Sequence, residues 1–461
     1  MKLEFHGANR NVTGSCHLIR CQGKCILIDC GMFQGGREMD ADNRRDFGFN
    51  PAEVDYLLLT HGHLDHCGRI PLLVKQGFRG KIVTTAATRE LARLVMLDSA
   101  KIQEEEAKFK NKKFRKRNLP EEAVPLYTTF DALTCLDFFQ DITALNRTFE
   151  LGPGMKATFY DAGHILGAAS ILLELSEQGV DKRILYSGDL GYSGRAILRD
   201  PAVPPAADIV VMETTYGDRL HKQLDPSVHE LYEAIERTLK HGGNVLIPSF
   251  ALERTQEILY YLREGIEQGL VKETVQVFLD SPMAISATEI FQRHPECFDQ
   301  ETWEVFRSGQ DPFELPGLHF TRETAQSIAL KQVKGAVIIA GSGMATGGRI
   351  RHHLRQNLWR RESAVVFVGY AGKGTLARRI IDGQDPVRIF GREIDVRAKI
   401  YTIGGFSAHA DQKDLLDWHS KTGNPEITFL VHGEERSMET FAGLLENIRV
   451  EMPVQDQVFE I

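Results

Sequence analysis

The sequence predicts an α/β protein: a strand-rich first part, an inserted domain of alternating strands and helices, and a strand-rich return. Three features predict it. The run Tyr56-Leu57-Leu58-Leu59 is too short for a helix, reads as a buried strand, and delivers His61, His63, Asp65 and His66 into the turn at its end. Between roughly residues 216 and 386, apolar runs alternate with helical patterns, which implies a parallel sheet covered on both faces. From Arg388 onward strand patterns return and carry two further histidine motifs. The expected divisions are 1–215, 216–386 and 387–461.

A chain of 461 residues has room for two or three domains with substantial cores. Its formal charge of −8 argues against a protein that coats nucleic acid non-specifically, and leaves a local basic track open. No run of about 18 apolar residues is present, so no membrane partner is expected. Met1-Lys2-Leu3-Glu4-Phe5-His6 lacks the apolar stretch of a signal peptide, so the expected compartment is the cytoplasm. Seven cysteines suit it. Cys16, Cys21, Cys25 and Cys30 crowd one segment, but without a CxxC spacing. They read as free thiols packed in a hairpin that turns at Gln22-Gly23.

In chain order, the first strands fall on His17-Leu18-Ile19 and Cys25-Ile26-Leu27-Ile28, the second ending in Asp29. An aspartate there is ordinarily a turn or cap residue. The HxHxDH turn follows. Imidazole and carboxylate donors together suit Zn²⁺ or a similar transition ion. Four such donors crowd a single ion, so the spacing suggests two: His61 and His63 toward one, Asp65 and His66 toward another. After Leu91 a long helix is expected, running into 108–117, where seven of ten residues are basic and Glu104-Glu105-Glu106 precede them. That segment reads either as a solvated loop or as a guide for a polyanion backbone. His164 in Asp161-Ala162-Gly163-His164 and Asp189 in Ser187-Gly188-Asp189 each place a ligand type beside glycine after a strand-like run.

Within the insert, strands are expected at 244–248, 275–279 and 336–340, and helices near 226–240, 253–268 and 348–358. The loop Gly341-Ser342-Gly343-Met344-Ala345-Thr346-Gly347-Gly348-Arg349 opens the last of these helices, and backbone N–H groups at a helix start favour anions. Thr346 rules out a GxGxxG fingerprint, and no Gly-Lys-Ser/Thr follows; the loop reads either as a site for a nucleic-acid phosphate or as a tight turn needed only for packing. Ser342, Gly343, Thr346 and Arg349 are the candidate phosphate contacts, with Lys373 in the second glycine-rich turn Tyr370–Arg378. Pro248-Ser249-Phe250-Ala251 forms a third such turn.

The HxHxDH motif resembles the signature of the metallo-β-lactamase fold, and the later motifs resemble those of the β-CASP nucleases over nearly the whole chain. These include Glu213 in Val210–Gly217, Gly405-Phe406-Ser407-Ala408-His409 and Leu430-Val431-His432-Gly433-Glu434. The resemblance implies an αβ/βα sandwich with a β-CASP insert and a site in the cleft between them. It implies a zinc-dependent ribonuclease that holds single-stranded RNA there and cuts it with water activated by two Zn²⁺ ions. In its terms His61, His63 and His164 bind the first zinc and Asp65, His66 and His432 the second. Asp189 bridges both, and Asp29 orients ligands from behind. Asp65, Asp189, Glu213 and His409 are then the catalytic set, with His409, supported by Glu213, protonating or stabilising the leaving oxygen. Two other readings stay open: a small-molecule ester or thioester hydrolase on the same fold, and a non-catalytic RNA-binding subunit.

Overall fold

In the computed structural model, which describes residues 1–35, 41–120, 122–369, 371–372 and 374–461, the chain forms two compact units. The first comprises Met1–Gly194, Arg199–Leu220 and His409–Ile461; the second comprises Arg195–Leu198 and His221–Ala408.

Two seven-stranded sheets build the first unit. One runs in the order 457–460, 2–5, 17–21, 24–28, 56–58, 81–84, 141–142. The other runs 449–451, 427–431, 209–213, 180–186, 169–177, 155–161, 148–152. Each is antiparallel in one half and parallel in the other. Alternate residues of both sheets point into a shared interlayer core: Leu3, Phe5, Ile19, Ile26, Ile28 and Leu58 from the first, Phe159, Ile171, Leu173, Tyr186, Val211 and Phe429 from the second. Phe5 meets Phe429 across it with ring centroids 5.0 Å apart. Residues of the opposite phase, such as Leu57, Ile82, Leu172 and Leu185, are buried as well. Both faces of these strands are therefore covered, and this is the αβ/βα sandwich that the resemblance implies.

The hairpin 17–21/24–28 turns at Gln22-Gly23 as expected, and all seven cysteines are free and buried. The long helix spans Ala86–Lys116, capped by the Thr85 side chain on Thr88 N–H, so the basic segment is helical rather than looped through Lys116. Among the described residues no helix is long and apolar enough to cross a membrane.

Helix Gln412–Ser420 buries His419 against the strand 427–431, with its Nε2 2.9 Å from Thr428 Oγ1. Burial pushes this imidazole down to about 4, so the folded state holds it neutral where the unfolded chain would protonate it. Its contribution to stability is intact above the ordinary value near 6.5 and is lost as pH falls from there toward 4, by up to about 3 kcal/mol. We expect the urea midpoint to fall over that window, and a His419→Leu variant to fall less steeply. Equal slopes would remove His419 from the account.

The second unit is a six-stranded sheet in the order 318–320, 276–279, 336–340, 245–248, 364–368, 399–403, parallel at every pairing. Leu246, Ile338, Val365 and Phe367 pack on one face against Ile350, Leu354 and Ile380 of its helices. Helices Leu224–Lys240, Arg254–Glu267 and Ile350–Asn357 fall where the periodicity puts them. The strand Lys399–Ile403 pairs with Ala364–Val368 and so belongs to this sheet, beyond residue 386. A strand pattern announces that a segment is extended, not which sheet edge it joins.

Candidate metal centre

Strands 155–161, 180–186, 209–213 and 427–431 all run the same way, and His164, Asp189, Glu213 and His432 lie at or just past their C-terminal ends. From the other sheet, 24–28 and 56–58 end in Asp29 and the HxHxDH turn. The turn starts a short helix, Leu64–Cys67, with His63 as its N-cap, and this helix carries Asp65 and His66. One end of the sandwich thus collects every ligand type that the sequence singles out in this unit.

Two groups result. His61, His63, His164 and Asp189 form the first, and Asp65, His66 and His432 the second. In the first, His63 Nδ1 lies 3.1 Å from His61 Nε2 and 3.2 Å from His164 Nε2. In the second, His432 Nε2 lies 3.3 Å from His66 Nε2 and 3.4 Å from Asp65 Oδ2. Asp189 stands between them. Its Oδ2 is 3.5 Å from His61 Nε2 and from His164 Nε2, and its Oδ1 is 3.3 Å from His66 Nε2 and 3.5 Å from His432 Nδ1.

These spacings test whether an ion fits. Donors about 2 Å from one metal at tetrahedral angles stand about 3.3 Å from each other, which is what both groups show. Both Asp189 oxygens are buried and lack a hydrogen bond of satisfactory geometry, an arrangement that costs free energy unless a cation completes it. The donor set fits a metal.

Surrounding residues orient the donors. Asp29 accepts from Thr60 N–H and Thr60 Oγ1, both at 2.8 Å, and lies 2.7 Å from His66 Nδ1. Because Thr60 Oγ1 gives its proton to Asp29, it accepts from His61 Nδ1 at 3.1 Å, which leaves His61 Nε2 bare. Thr215 Oγ1 lies 3.1 Å from His432 Nδ1. The roles of Thr60 and Thr215 went unread in the sequence. Thr60 had a signal, its place directly before His61; Thr215 had none, since its partner lies 217 residues away.

Burial pushes His63 down to about 4, and burial together with the neighbouring His66 holds His61 well below its ordinary value, so both are neutral donors. His66 goes the other way: burial opposes its charge, but Asp189 and Asp29 beside it raise it well above the ordinary imidazole. Asp189, despite burial, is held well below the carboxylate range by His432, His66 and His61.

A third group adjoins the bridge: Asp189, Glu213 and His409. His409 Nδ1 is 3.1 Å from Glu213 Oε1 and 3.9 Å from Asp189 Oδ2. Glu213 is fixed by Leu190 N–H at 2.6 Å, and its own N–H donates to Ser187 Oγ at 2.9 Å. Burial disfavours charge on His409, but Glu213, with Asp189 and Asp65 farther off, raises it to about 9.

The insert's candidate contacts lie at the C-terminal end of strand 336–340, the edge where parallel sheets bind ligands. There Ser342 Oγ accepts from Gly347 N–H at 3.2 Å and closes the loop on itself. Gly348 has φ +71°, and a Cβ there would sit 2.1 Å from Gly341 O, so only glycine fits. Thr346 is exposed, and Gly343 is covered by the Phe250 ring. Lys373 lies outside the described residues. Arg349 is engaged elsewhere: its guanidinium donates to buried Asp280 at 2.8 Å and to the carbonyls of Thr321 and Arg322 at 2.9 and 2.8 Å. His353, Thr321 and Ser327 complete the Asp280 shell, which burial opposes yet which together hold the carboxyl at about 2.

We therefore expect Arg349→Ala to act on stability, by about 1–3 kcal/mol, because Asp280 loses one of several partners. Denaturant unfolding checks this. Unchanged stability together with weakened RNA binding would instead give Arg349 back to phosphate.

Fold and site together define a metal-dependent hydrolase. Residues 10–155 match the Metallo-beta-lactamase superfamily, 255–380 the Beta-Casp domain, and 393–453 the Zn-dependent metallo-hydrolase RNA specificity domain. Over 446 residues the chain is 41% identical to Ribonuclease TTHA0252 of Thermus thermophilus, covering 96% of each chain. It is 32% identical to Transcription termination factor FttA of Methanocaldococcus jannaschii, over 96% of this chain and 68% of that one. An RNase J-like protein of the same archaeon is 28% identical, over 95% of this chain and 94% of its own length. A protein of unknown function from Enterococcus faecalis V583 shares the fold, with a TM-score of 0.53 at 13% identity over 99% of both chains. The chain belongs to the β-CASP ribonuclease family of the metallo-β-lactamase superfamily.

Proposed function

We propose that this chain is a zinc-dependent ribonuclease that hydrolyses phosphodiester bonds of single-stranded RNA at a two-metal centre. The observation that carries the proposal is Asp189, whose two oxygens face two separate groups of imidazoles at 3.3–3.5 Å. The kinship with a protein named as a ribonuclease, and the match to an RNA specificity domain, support RNA as the substrate.

His61, His63 and His164 would hold one zinc; Asp65, His66 and His432 would hold the other, with Asp189 shared. When bound, such a pair activates water at neutral pH and neutralises charge on the phosphate. His409 holds a proton at its imidazole beside Asp189, Glu213 keeps that proton in place, and the imidazolium is set to protonate the leaving oxygen. Asp29 and Thr60 keep His66 and His61 turned inward. In the insert, Ser342, Gly343 and Thr346 are proposed to receive an RNA phosphate.

The test combines elemental analysis of purified protein with cleavage of a 5′-labelled RNA, before and after chelation. Two zinc ions per chain and chelator-sensitive cleavage are expected. Full activity with one metal or none would remove the two-metal reading, and hydrolysis of small thioesters without RNA cleavage would remove the ribonuclease reading.

A further inference from the structure

The helix Ala86–Lys116 starts at the metal centre. Thr85 and Thr88 hold the Gly167 carbonyl at 2.7 and 2.8 Å, just past His164. Gly62, between His61 and His63, packs so closely on this helix that a Cβ there would lie 2.8 Å from Leu91 Cβ. From Leu91 the helix runs 21 residues to Lys112, about 32 Å at 1.5 Å per residue.

Its far end has two unlike faces. Gln103, Ala107, Asn111 and Phe114 fall on one side and are at least partly buried. That side is tied to the returning chain: Asn111 exchanges hydrogen bonds with the Ala123 backbone at 2.7 and 2.9 Å, and Gln103 accepts from Leu126 N–H at 3.0 Å. Lys108, Lys112, Lys113, Arg115 and Lys116 fall on the other side, within roughly 160° of arc at 3.6 residues per turn, and all are exposed. In their midst stands Phe109, 60% exposed, with Lys113 Nζ 4.5 Å from its ring centroid. Glu105 and Glu106 mark the face's limit toward the metal centre. Among the described residues the only ion pair in the segment is Lys110 to Glu106, at 3.9 Å.

Two ordinary explanations fall short. Cations in a helix's last turn offset its dipole, which accounts for Lys113, Arg115 and Lys116. Lys108 and Lys112 lie farther back, and the dipole gives no reason to expose Phe109. Solubility is no better a reason, because the chain already carries a charge of −8, and a cationic face runs against it. Cations around an exposed aromatic ring are the pattern that binds single-stranded nucleic acid, through phosphates and one stacked base.

We propose that this face is a second RNA-binding site, distinct from the metal centre, which engages the same strand about ten nucleotides from the scissile bond at a stacked spacing of about 3.4 Å. The proposal rests on the ribonuclease reading above. The five cations take successive phosphates, and Phe109 stacks one base without sequence preference.

The test compares wild type with K108Q/K112Q/K113Q/R115Q/K116Q and with Phe109→Ala, on RNAs of about 8 and about 30 nucleotides that share one cleavage site, lengths chosen to fall short of and to exceed the ten-nucleotide reach. Cleavage is followed in holoenzyme, and affinity by anisotropy on phosphorothioate-blocked RNA. For the quintuple variant we expect KM on the long RNA to rise about tenfold or more, kcat to stay unchanged, and the short RNA to be cut as before. The salt slope of log affinity should shrink by about 0.7 per cation removed. Phe109→Ala should lose about fivefold in affinity and keep its slope. A quintuple variant that binds the long RNA like wild type at every salt concentration overturns the proposal. So does one that loses binding only to phosphatidylglycerol vesicles, which would make the face a membrane contact. Failure of wild type to cut either RNA would instead count against the ribonuclease reading, while the binding arm still reads the face.

Discussion

Asp189→Ala is expected to leave a folded protein that neither retains metal nor cuts RNA. The carboxylate offers one oxygen to each imidazole group, so its removal strips a donor from both sites at once. Losing an outer partner of a metal ligand costs about 10–100-fold, and losing the shared donor should exceed the upper end of that range. The fold should survive because the interlayer core is elsewhere: Phe5, Phe159, Ile171 and Phe429 owe nothing to this side chain. Thermal unfolding with and without added zinc is the sharp readout. Wild type should gain stability from the ion, and the variant should gain almost none. A variant that still shows a full zinc shift would mean that Asp189 bridges nothing.

The second large effect should separate His409 from His432, two histidines whose rings lie 6.0 Å apart. His432 points Nε2 at His66 and Asp65 and is backed by Thr215, so His432→Ala should lose metal from that side together with activity. His409 faces Glu213 instead, and His409→Ala should keep its metals and slow the chemical step about 10²–10⁴-fold, the usual range for a lost general acid. An RNA with a better leaving group at the scissile bond should recover much of that loss. The pH profile gives a second handle. Glu213, against burial, holds His409 at about 9, and cations beside Asp189 draw that value down, so about 9 is the ceiling in the loaded enzyme. An acid works only while protonated, so the wild-type rate should fall as pH rises through a value at or below about 9. That limb should vanish in His409→Ala. Metal loss from His409→Ala with retention in His432→Ala would reverse the two roles.

The sequence exposed the centre because its donors sit at strand ends, where a short apolar run followed by ligand types is a local pattern. His61, His63, Asp65 and His66 needed nothing more than their own seven residues. His164, Asp189, Glu213, His409 and His432 are single residues in separate segments, and only resemblance joined them before the sheets brought them together. The insert shows where local reading stops. Arg349, at the start of a helix after a glycine-rich loop, looked like a phosphate contact, but Asp280 claims it from 69 residues away, and a buried carboxylate leaves no mark near the arginine it pairs with. The strand 399–403 was legible as a strand; the edge it joins is decided by Ala364–Val368. The basic segment carries its charge in plain view, whereas its two-faced helix depends on Asn111, which ties one side to Ala123.

His66 and His432, 366 residues apart, face each other across the second group. On a ribosome this separation becomes a delay. A growing chain that has reached residue 400 already contains His61, His63, Asp65, His66, His164 and Asp189, but neither His409 nor His432. Even when residue 432 has been added, the strand 427–431 that carries it must still clear the exit tunnel and slot in beside 209–213. A chain under synthesis therefore lacks the last donor of the second group until residue 432 has been added and the strand before it has paired with 209–213.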